Sequence, residues 1–171
     1  MRESIGATWI MIVVMLFITL FSAYLAFSIN YSKAFKVKDG IISRIEKHNG
    51  LKPETFTDID EYLREIGYTS KGRCDMFVSE QKVKFMGVNI DEPIDNLSIF
   101  TDGSAAKNEY NYCIGRVFSY DPVGQMTASY YNVVVFYSLS LPMINDMFNF
   151  YISGDTSNIY YPIDKYLGWY D

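Results

Sequence analysis

The segment that decides the fold lies at the N-terminus, where residues 4–32 read SIGATWIMIVVMLFITLFSAYLAFSINYS without a charged side chain. From Ile5 to Ile29 most of the side chains are apolar. About 20 apolar residues suffice for a helix to cross a bilayer, so the segment predicts a membrane helix. A cleaved secretory signal would have a shorter apolar run with a small-residue site at its end. Here the only such triplets fall at 23–28, inside the run, which favours a retained anchor.

The helical pattern continues beyond the apolar run. Asn49-Gly50 is a typical C-terminal stop, so residues 3–48 predict one helix, about 69 Å long at 1.5 Å per residue. Asp39-Gly40 is its one weak point, where the helix can bend. The second half can pack as an amphipathic helix on the domain that follows, or form a stalk that also packs against other copies, and the sequence allows both at once. Its apolar residues have helical spacing: Ala34, Phe35, Ile41, Ile42 and Ile45.

Length and charge limit the classes of protein. A chain of 171 residues corresponds to one ordinary domain, or to a small domain with an appendage. The net charge of −5 disfavours a nucleic-acid binder, which needs a basic face. We divide the chain into a membrane anchor and amphipathic stalk helix, residues 1–49, and an α+β domain, residues 50–171.

The second part is rich in tyrosine and carries the β pattern, since aromatic and β-branched residues favour strands. The predicted elements are a short helix at 59–66 capped by Thr57-Asp58, an extended segment at 74–88, a short strand at 97–100, and strands at 110–120, 125–141, 147–153 and 158–161. Asp121-Pro122-Val123-Gly124 suits a type I turn. The fold class is therefore α+β: a long N-terminal helix followed by a small antiparallel sheet that ends in a meander.

The sequence contains no catalytic constellation. His48 is the only histidine, and at a predicted helix end it is best explained as a favourable charge beside the helix dipole. Two cysteines that lie far apart in the chain, with one remote histidine, match no zinc pattern. The acidic segments at 91–95 and 102–109 follow no calcium-loop pattern. We expect neither an enzyme nor a metal or other cofactor.

Cys74 and Cys113 bear on the compartment. Two cysteines without metal partners are typical of one stabilising disulfide in an oxidising compartment, worth roughly 3–4 kcal/mol for such a loop. Two separate buried thiols are the alternative. Lys33, Lys36 and Lys38 follow the apolar run whereas Arg2 alone precedes it, which by the positive-inside rule favours a cytoplasmic domain. The cysteine pair and the tyrosine-rich sheet favour the opposite, and we predict an extracytoplasmic domain.

The layout and the end of the chain resemble a known family. The run YYNVVVFYSLSLP at 130–142, followed by MINDMFNFYISGDTSNIY, resembles the final strands of TadE-like minor pilins of tight-adherence pili. The segment ESIGATWIMIVVMLF is similar in position to their membrane helix. The resemblance covers the helix and the chain from Tyr130 onward, and the middle is unmatched. It implies a single-pass pilin-like protein whose partners are the lipid bilayer and other pilin-like subunits or pilus-assembly proteins.

The N-terminus departs from that family. Pilin precursors have a glutamate five residues after their cleavage position, and a cleavage position at Gly6 would place Met11 there. Glu3 is the only acid nearby, so processing by a prepilin peptidase does not follow. Small residues that permit close helix packing, together with Glu3 at the bilayer edge, are the candidate packing residues: Glu3, Gly6, Ala7, Ser22, Ala23 and Ala26. Ordinary membrane-helix composition explains the small residues equally well.

Two functions from different classes remain open. The first is a pilin-like structural or assembly component. The second is a single-pass membrane-anchored extracellular binding module, unrelated to pili, that uses an aromatic face such as the one around Trp169-Tyr170. Burial in the sheet explains most of the tyrosines, which favours the first function.

Overall fold

Two helices and seven strands follow one another in the part of the chain that the structure describes. This computed structural model describes residues 2–75, 83–90, 99–100, 108–120, 126–141 and 144–159. The elements are α1 (Arg2–Lys47), α2 (Pro53–Glu65), β1 (Gly72–Arg73), β2 (Val83–Val88), β3 (Ile99–Phe100), β4 (Glu109–Tyr110), β5 (Tyr112–Tyr120), β6 (Met126–Leu141) and β7 (Ile144–Asp155).

Helix α1 is a single element of 46 residues, as the sequence predicts. It ends where the stop signal lies, because Asn49 (φ 53°) and Gly50 (φ 124°) take positive φ values. The Gly50 N–H donates to the Ile45 carbonyl at 2.9 Å, which satisfies one of the terminal carbonyls of the helix. At Gly40, the weak point of the pattern, the helix is uninterrupted. The glycine has a different role there, since the ring of Tyr62 packs directly against it.

Helix α2 begins six residues earlier than predicted. Pro53 opens it with a φ already suited to a first helical turn. The Thr55 hydroxyl accepts a hydrogen bond from the Lys52 N–H at 3.2 Å. The expected cap at Thr57-Asp58 is therefore wrong, and Asp58 lies inside the helix. The end of α2 is as predicted, with Gly67 at φ 65° just beyond it.

The main sheet is antiparallel, with strand order β3-β2-β5-β6-β7. The C-terminal meander β5-β6-β7 is confirmed, and its register pairs Ile114 with Val133 and Val135 with Ile152. Strands β1 and β4 form a separate two-stranded sheet. No periodic pattern marks strands of two residues, and the sequence did not predict these two.

Several strand boundaries differ from prediction. The extended segment at 74–88 becomes a strand only at Val83–Val88, while residues 76–82 lie outside the described part. Strand β7 begins at Ile144 rather than at Met147. Of the predicted strand at 158–161, the described part contains one bridge between Ile159 and Ser129. The predicted turn at 121–124 also lies outside the described residues.

The main core lies between α1 and one face of the sheet. Ala34, Val37, Ile41 and Ile45 form a fully buried stripe along the second half of α1. Each is three or four residues from the next, so all lie on one side of the helix. The stripe packs with α2 and with alternate residues of the central strands: Phe56, Ile59, Leu63, Met86, Tyr112, Ile114, Val133 and Val135. The amphipathic half of α1 therefore belongs to the core of the domain.

A smaller core covers the opposite face of the sheet. The structure joins Cys74 and Cys113 in a disulfide, as the sequence predicts, with 5.9 Å between their Cα atoms. Both cysteines are buried among Phe85, Tyr110, Val134 and Phe136. Since Cys113 alternates with Tyr112 and Ile114 along β5, it points away from α1. The disulfide thus fastens the chain after β1 to the back of the sheet.

The close approach of Tyr62 to Gly40 predicts that Gly40→Ala lowers the stability of the fold, although Gly→Ala inside a helix normally raises it. The Tyr62 hydroxyl donates to the Lys36 carbonyl at 3.1 Å, and the Arg44 guanidinium lies 3.8 Å from the ring centroid. A Cβ at position 40 would overlap the ring. Gly→Ala inside a helix normally stabilises by about 1 kcal/mol. We expect G40A instead to destabilise by about 1 kcal/mol, since the displaced ring loses its hydrogen bond, its cation contact and its packing.

A double-mutant cycle measured by urea unfolding of the full chain in detergent tests this expectation. In a Y62A background, G40A should become stabilising by about 1 kcal/mol, because the obstacle is gone and the helix propensity remains. Gly6→Ala is the control, since nothing lies within 4 Å of a Cβ at that position. An equal effect of G40A in both backgrounds would show that the ring contact does not determine the cost.

Candidate functional site

The first half of α1 exposes an apolar surface that no other described element covers fully. In its most apolar window of 18 residues no side chain is buried, and the helix is long and apolar enough to cross a membrane. Trp9, Phe17 and Tyr24 are each about two-thirds exposed, at 68%, 66% and 66%. Soluble proteins rarely expose contiguous apolar patches of this extent. This half of the helix is therefore a candidate membrane span.

The candidate packing residues lie at two levels of α1. Gly6 is exposed, and Glu3 and Ala7 lie in the same first turns, where their side chains are not described. Ser22 is exposed and its hydroxyl donates to the Ile18 carbonyl at 2.8 Å, so the helix itself satisfies it. The second level also contains two half-buried alanines, Ala23 and Ala26.

An aromatic cluster joins the apolar half of α1 to the sheet. We call it the junction cluster, and it consists of Phe27, Tyr31, Tyr137 and Phe150. Its ring centroids are 6.1 Å apart for Phe27 and Phe150, 6.3 Å for Tyr31 and Tyr137, and 5.3 Å for Tyr137 and Phe150. The contacts between helix and strands are edge-to-face, the favourable geometry for aromatic pairs. The sequence did not predict this cluster, because it depends on how β6 and β7 lie along the helix.

Strand β7 runs alongside α1 in the same direction. Three contacts along the two elements establish this: Phe150 with Phe27, Gly154 with Lys38, and Ser157 with Glu46. The last consists of two hydrogen bonds of 2.7 and 2.8 Å, donated by the backbone N–H and hydroxyl of Ser157 to one carboxylate oxygen. The β6–β7 hairpin therefore points toward the N-terminus of α1, which is the apolar end.

An ion cluster fixes the other end of α1 to α2. One carboxylate oxygen of Asp58 lies 3.0 Å from Arg44 Nε. The other oxygen lies 3.0 Å from both Lys47 Nζ and His48 Nε2. These partners, His48 first and then Lys47, lower the pKa of Asp58 to about 2. The only histidine thus holds two helices together, in keeping with the structural role expected for it.

The lowered pKa of Asp58 predicts how the stability of the fold changes in acid. The pKa is lower in the folded protein than the value of about 3.9 for a free aspartate. The group therefore stabilises the fold above pH 4, and this contribution is lost as the pH falls toward 2. We expect D58N to be less stable than wild type at pH 7 and to show a shallower loss between pH 5 and pH 2.

Urea midpoints at several pH values from 7 to 2 measure this difference. Glu61→Gln, an exposed site on the same helix, removes the same charge and should keep the wild-type acid dependence. Parallel stability curves for wild type and D58N would contradict the assignment.

A cleft of about 260 Å³ opens beside the junction cluster, between α1 and the segment after α2. Lys33, Lys36, Tyr68 and Thr69 contribute to its lining. The Tyr68 hydroxyl is already occupied, since it accepts from the Phe136 N–H at 2.9 Å and lies 2.7 Å from the Phe136 carbonyl. Burial raises the pKa of Tyr68 well above its usual range. Sites for small molecules usually have volumes of roughly 300 Å³ or more, so this cleft is small for one.

Within the described ranges, no group of three or more His, Cys, Asp or Glu side chains is placed to hold a metal ion. Comparison of the chain with protein-family models, with curated proteins and with solved structures found no match. The features that bear on function are therefore the exposed half of α1, the junction cluster and the disulfide.

Proposed function

We propose that the protein is a membrane-anchored, pilin-like structural or assembly component of a tight-adherence or type IV-like pilus or secretion apparatus. One observation carries the proposal. A single continuous helix has an exposed apolar first half, while its second half is buried against an antiparallel meander. The first half is then available to lipid or to other helices, and the second half holds the domain at a fixed position on it.

The length of the exposed surface supports a role in assembly. The uncharged run of 29 residues is longer than the roughly 20 that a bilayer requires. Apolar side chains remain exposed up to Ile29 and Tyr31, at 57% and 46%. Those beyond the hydrocarbon need a protein partner. A neighbouring pilin-like helix is the occupant that fits a long, continuous apolar surface.

The second candidate, an anchored binding module, has less support. Most tyrosines whose side chains are described in the sheet are buried: Tyr110, Tyr112, Tyr131 and Tyr137. Of the strand tyrosines, Tyr151 is strongly exposed, at 56%. Phe150 and Tyr151 are the exposed rings among the described strand residues, and Phe150 already belongs to the junction cluster, while Trp169-Tyr170 lies outside the described residues.

The disulfide supports an extracytoplasmic domain, because such bonds persist in oxidising compartments. The lysines after the apolar run oppose it under the positive-inside rule. We give the disulfide more weight, because cytosolic reductants keep most thiols reduced. The positive-inside rule has less weight here, because pilin-like proteins are inserted by dedicated machinery.

Photo-cross-linking tests the assembly role. A photoreactive amino acid at Leu25 or Ile29, both exposed on α1, should form adducts with other pilin-like subunits in native membranes. The same amino acid at Glu61, on the exposed side of α2, is the control and should form few. Adducts with lipid alone at positions 25 and 29, together with normal pili, adhesion and secretion in a deletion strain, would refute the assembly role and leave the binding module.

Accessibility of single added cysteines tests the side of the membrane. The two natural cysteines are joined to each other, so an added cysteine is the only free thiol. In intact cells a membrane-impermeant maleimide should label E61C and leave S4C, on the other side of the span, unlabelled until lysis. The reverse pattern would place the domain in the cytoplasm.

A further inference from the structure

The β6–β7 hairpin extends beyond the junction cluster, alongside the apolar run. Strand β6 continues four residues past Tyr137, and its register pairs Leu139 with Phe148 and Leu141 with Ile144. Four strand residues span about 13 Å, which corresponds to about nine residues of an α-helix. Since the hairpin runs nearly parallel to α1, its tip lies about level with residues 18–20 of the helix, well inside the uncharged run.

The length of the uncharged run fits this arrangement. It has 29 residues, about nine more than the roughly 20 needed to cross the hydrocarbon. The stretch that the hairpin accompanies, from the level of its tip to Phe27, is also about nine residues long. Residues 4–20 of the run, which lie on the N-terminal side of the tip, number 17 and are at the lower end of the length that crosses the hydrocarbon.

The hairpin is suited by composition to contact with lipid. Charged residues make up 20% of the chain, yet Asp146 is the only one between 122 and 154. Positions 139 and 141 lie near the end of β6, on either side of a shift in the register between the two strands. Leucines occupy both positions, with phenylalanine and isoleucine opposite them, whereas serines occupy 138 and 140. The hairpin sequence is therefore almost free of charge and has apolar residues paired near its tip.

Backbone hydrogen bonding limits how deep the hairpin can go. The first residue of β5, Tyr112, pairs with Val135, and the Tyr68 hydroxyl serves the N–H and carbonyl of Phe136. Nearer the tip, the described strands pair only with each other and leave open edges. Each unsatisfied backbone group costs several kcal/mol in hydrocarbon, so an open edge does not enter it. The hydrated headgroup region accepts such an edge.

We propose that the tip of the β6–β7 hairpin is a second membrane contact, which rests in the lipid headgroup region and sets the depth to which α1 enters the bilayer. Residues up to about 20 of α1 then lie in the hydrocarbon, and residues 21–29 rise above it beside the hairpin. The inference depends on the anchoring role in the proposed function and is independent of assembly into a pilus.

Depth-dependent quenching tests the proposal on the full chain in phosphatidylcholine–phosphatidylglycerol vesicles at high lipid-to-protein ratio. An NBD fluorophore is attached to an added cysteine at Leu141, at Val14 within the span, or at Ser157 at the far end of the domain. We expect the label at 141 to be quenched at least twofold more by a headgroup nitroxide than by one deep in the acyl chain. The label at 14 should show the opposite preference, and iodide alone should quench the label at 157.

The outcomes separate this inference from the proposed function. Deep quenching at 14 with only iodide quenching at 141 would overturn the hairpin contact and leave the anchor. A label at 141 shielded from both kinds of quencher, and released by dilution with lipid, would identify a second copy as the occupant and also overturn it. An aqueous signal at 14 would refute the anchor itself.

A second measurement does not depend on a label in the hairpin. If α1 enters the bilayer only to about residue 20, S28C lies outside the hydrocarbon. A water-soluble maleimide should then alkylate S28C within about tenfold of the rate for E61C, while V14C stays protected. Protection of S28C equal to that of V14C, in vesicles where each copy is isolated, would show deeper insertion and overturn the proposal.

Discussion

The structure depends on one helix that passes through two different surroundings. Its backbone satisfies its own hydrogen bonds, so the same element is stable in lipid and in a protein core. What changes along it is the side-chain pattern. The first half is apolar all round, whereas the second half has one buried stripe, from Ala34 to Ile45, with charged residues on the other sides. That stripe determines where the sheet and α2 lie, because both pack against it.

Magnitudes show which contacts hold the domain on the helix. Burial of a Val or Ile side chain contributes about 1.5–3 kcal/mol, and the stripe contains three such residues facing buried side chains of the sheet and α2. An exposed ion pair contributes about 0–1 kcal/mol. The exposed Glu46–Ser157 contact therefore adds little stability, whereas the half-buried Asp58 cluster, which lowers the pKa of Asp58 to about 2, adds more. They fix the rotation of α1 against α2 and against the strand beside it.

The features that the sequence predicts well are those encoded by repeated local patterns. The extent of α1 and the strands of the meander follow from long periodic runs. The start of α2 was missed because Pro53 and Thr55 open the helix before the apolar pattern begins. The junction cluster could not be predicted, because Phe27 and Tyr137 meet only through the placement of β6 along the helix. The candidate packing residues lie on α1, where composition alone does not distinguish them from their neighbours.

A helix that is apolar all round gains little hydrophobic free energy when it exchanges lipid for another apolar helix, since both surroundings exclude water. Association of such helices within the membrane must then be driven by close packing and polar contacts. The stretch from 21 to 29 differs, because beside the hairpin it lies above the hydrocarbon. There, contact with a second chain would remove apolar side chains such as Leu25 and Ile29 from water. The hairpin would thus convert part of an anchor into a surface with a hydrophobic drive for association.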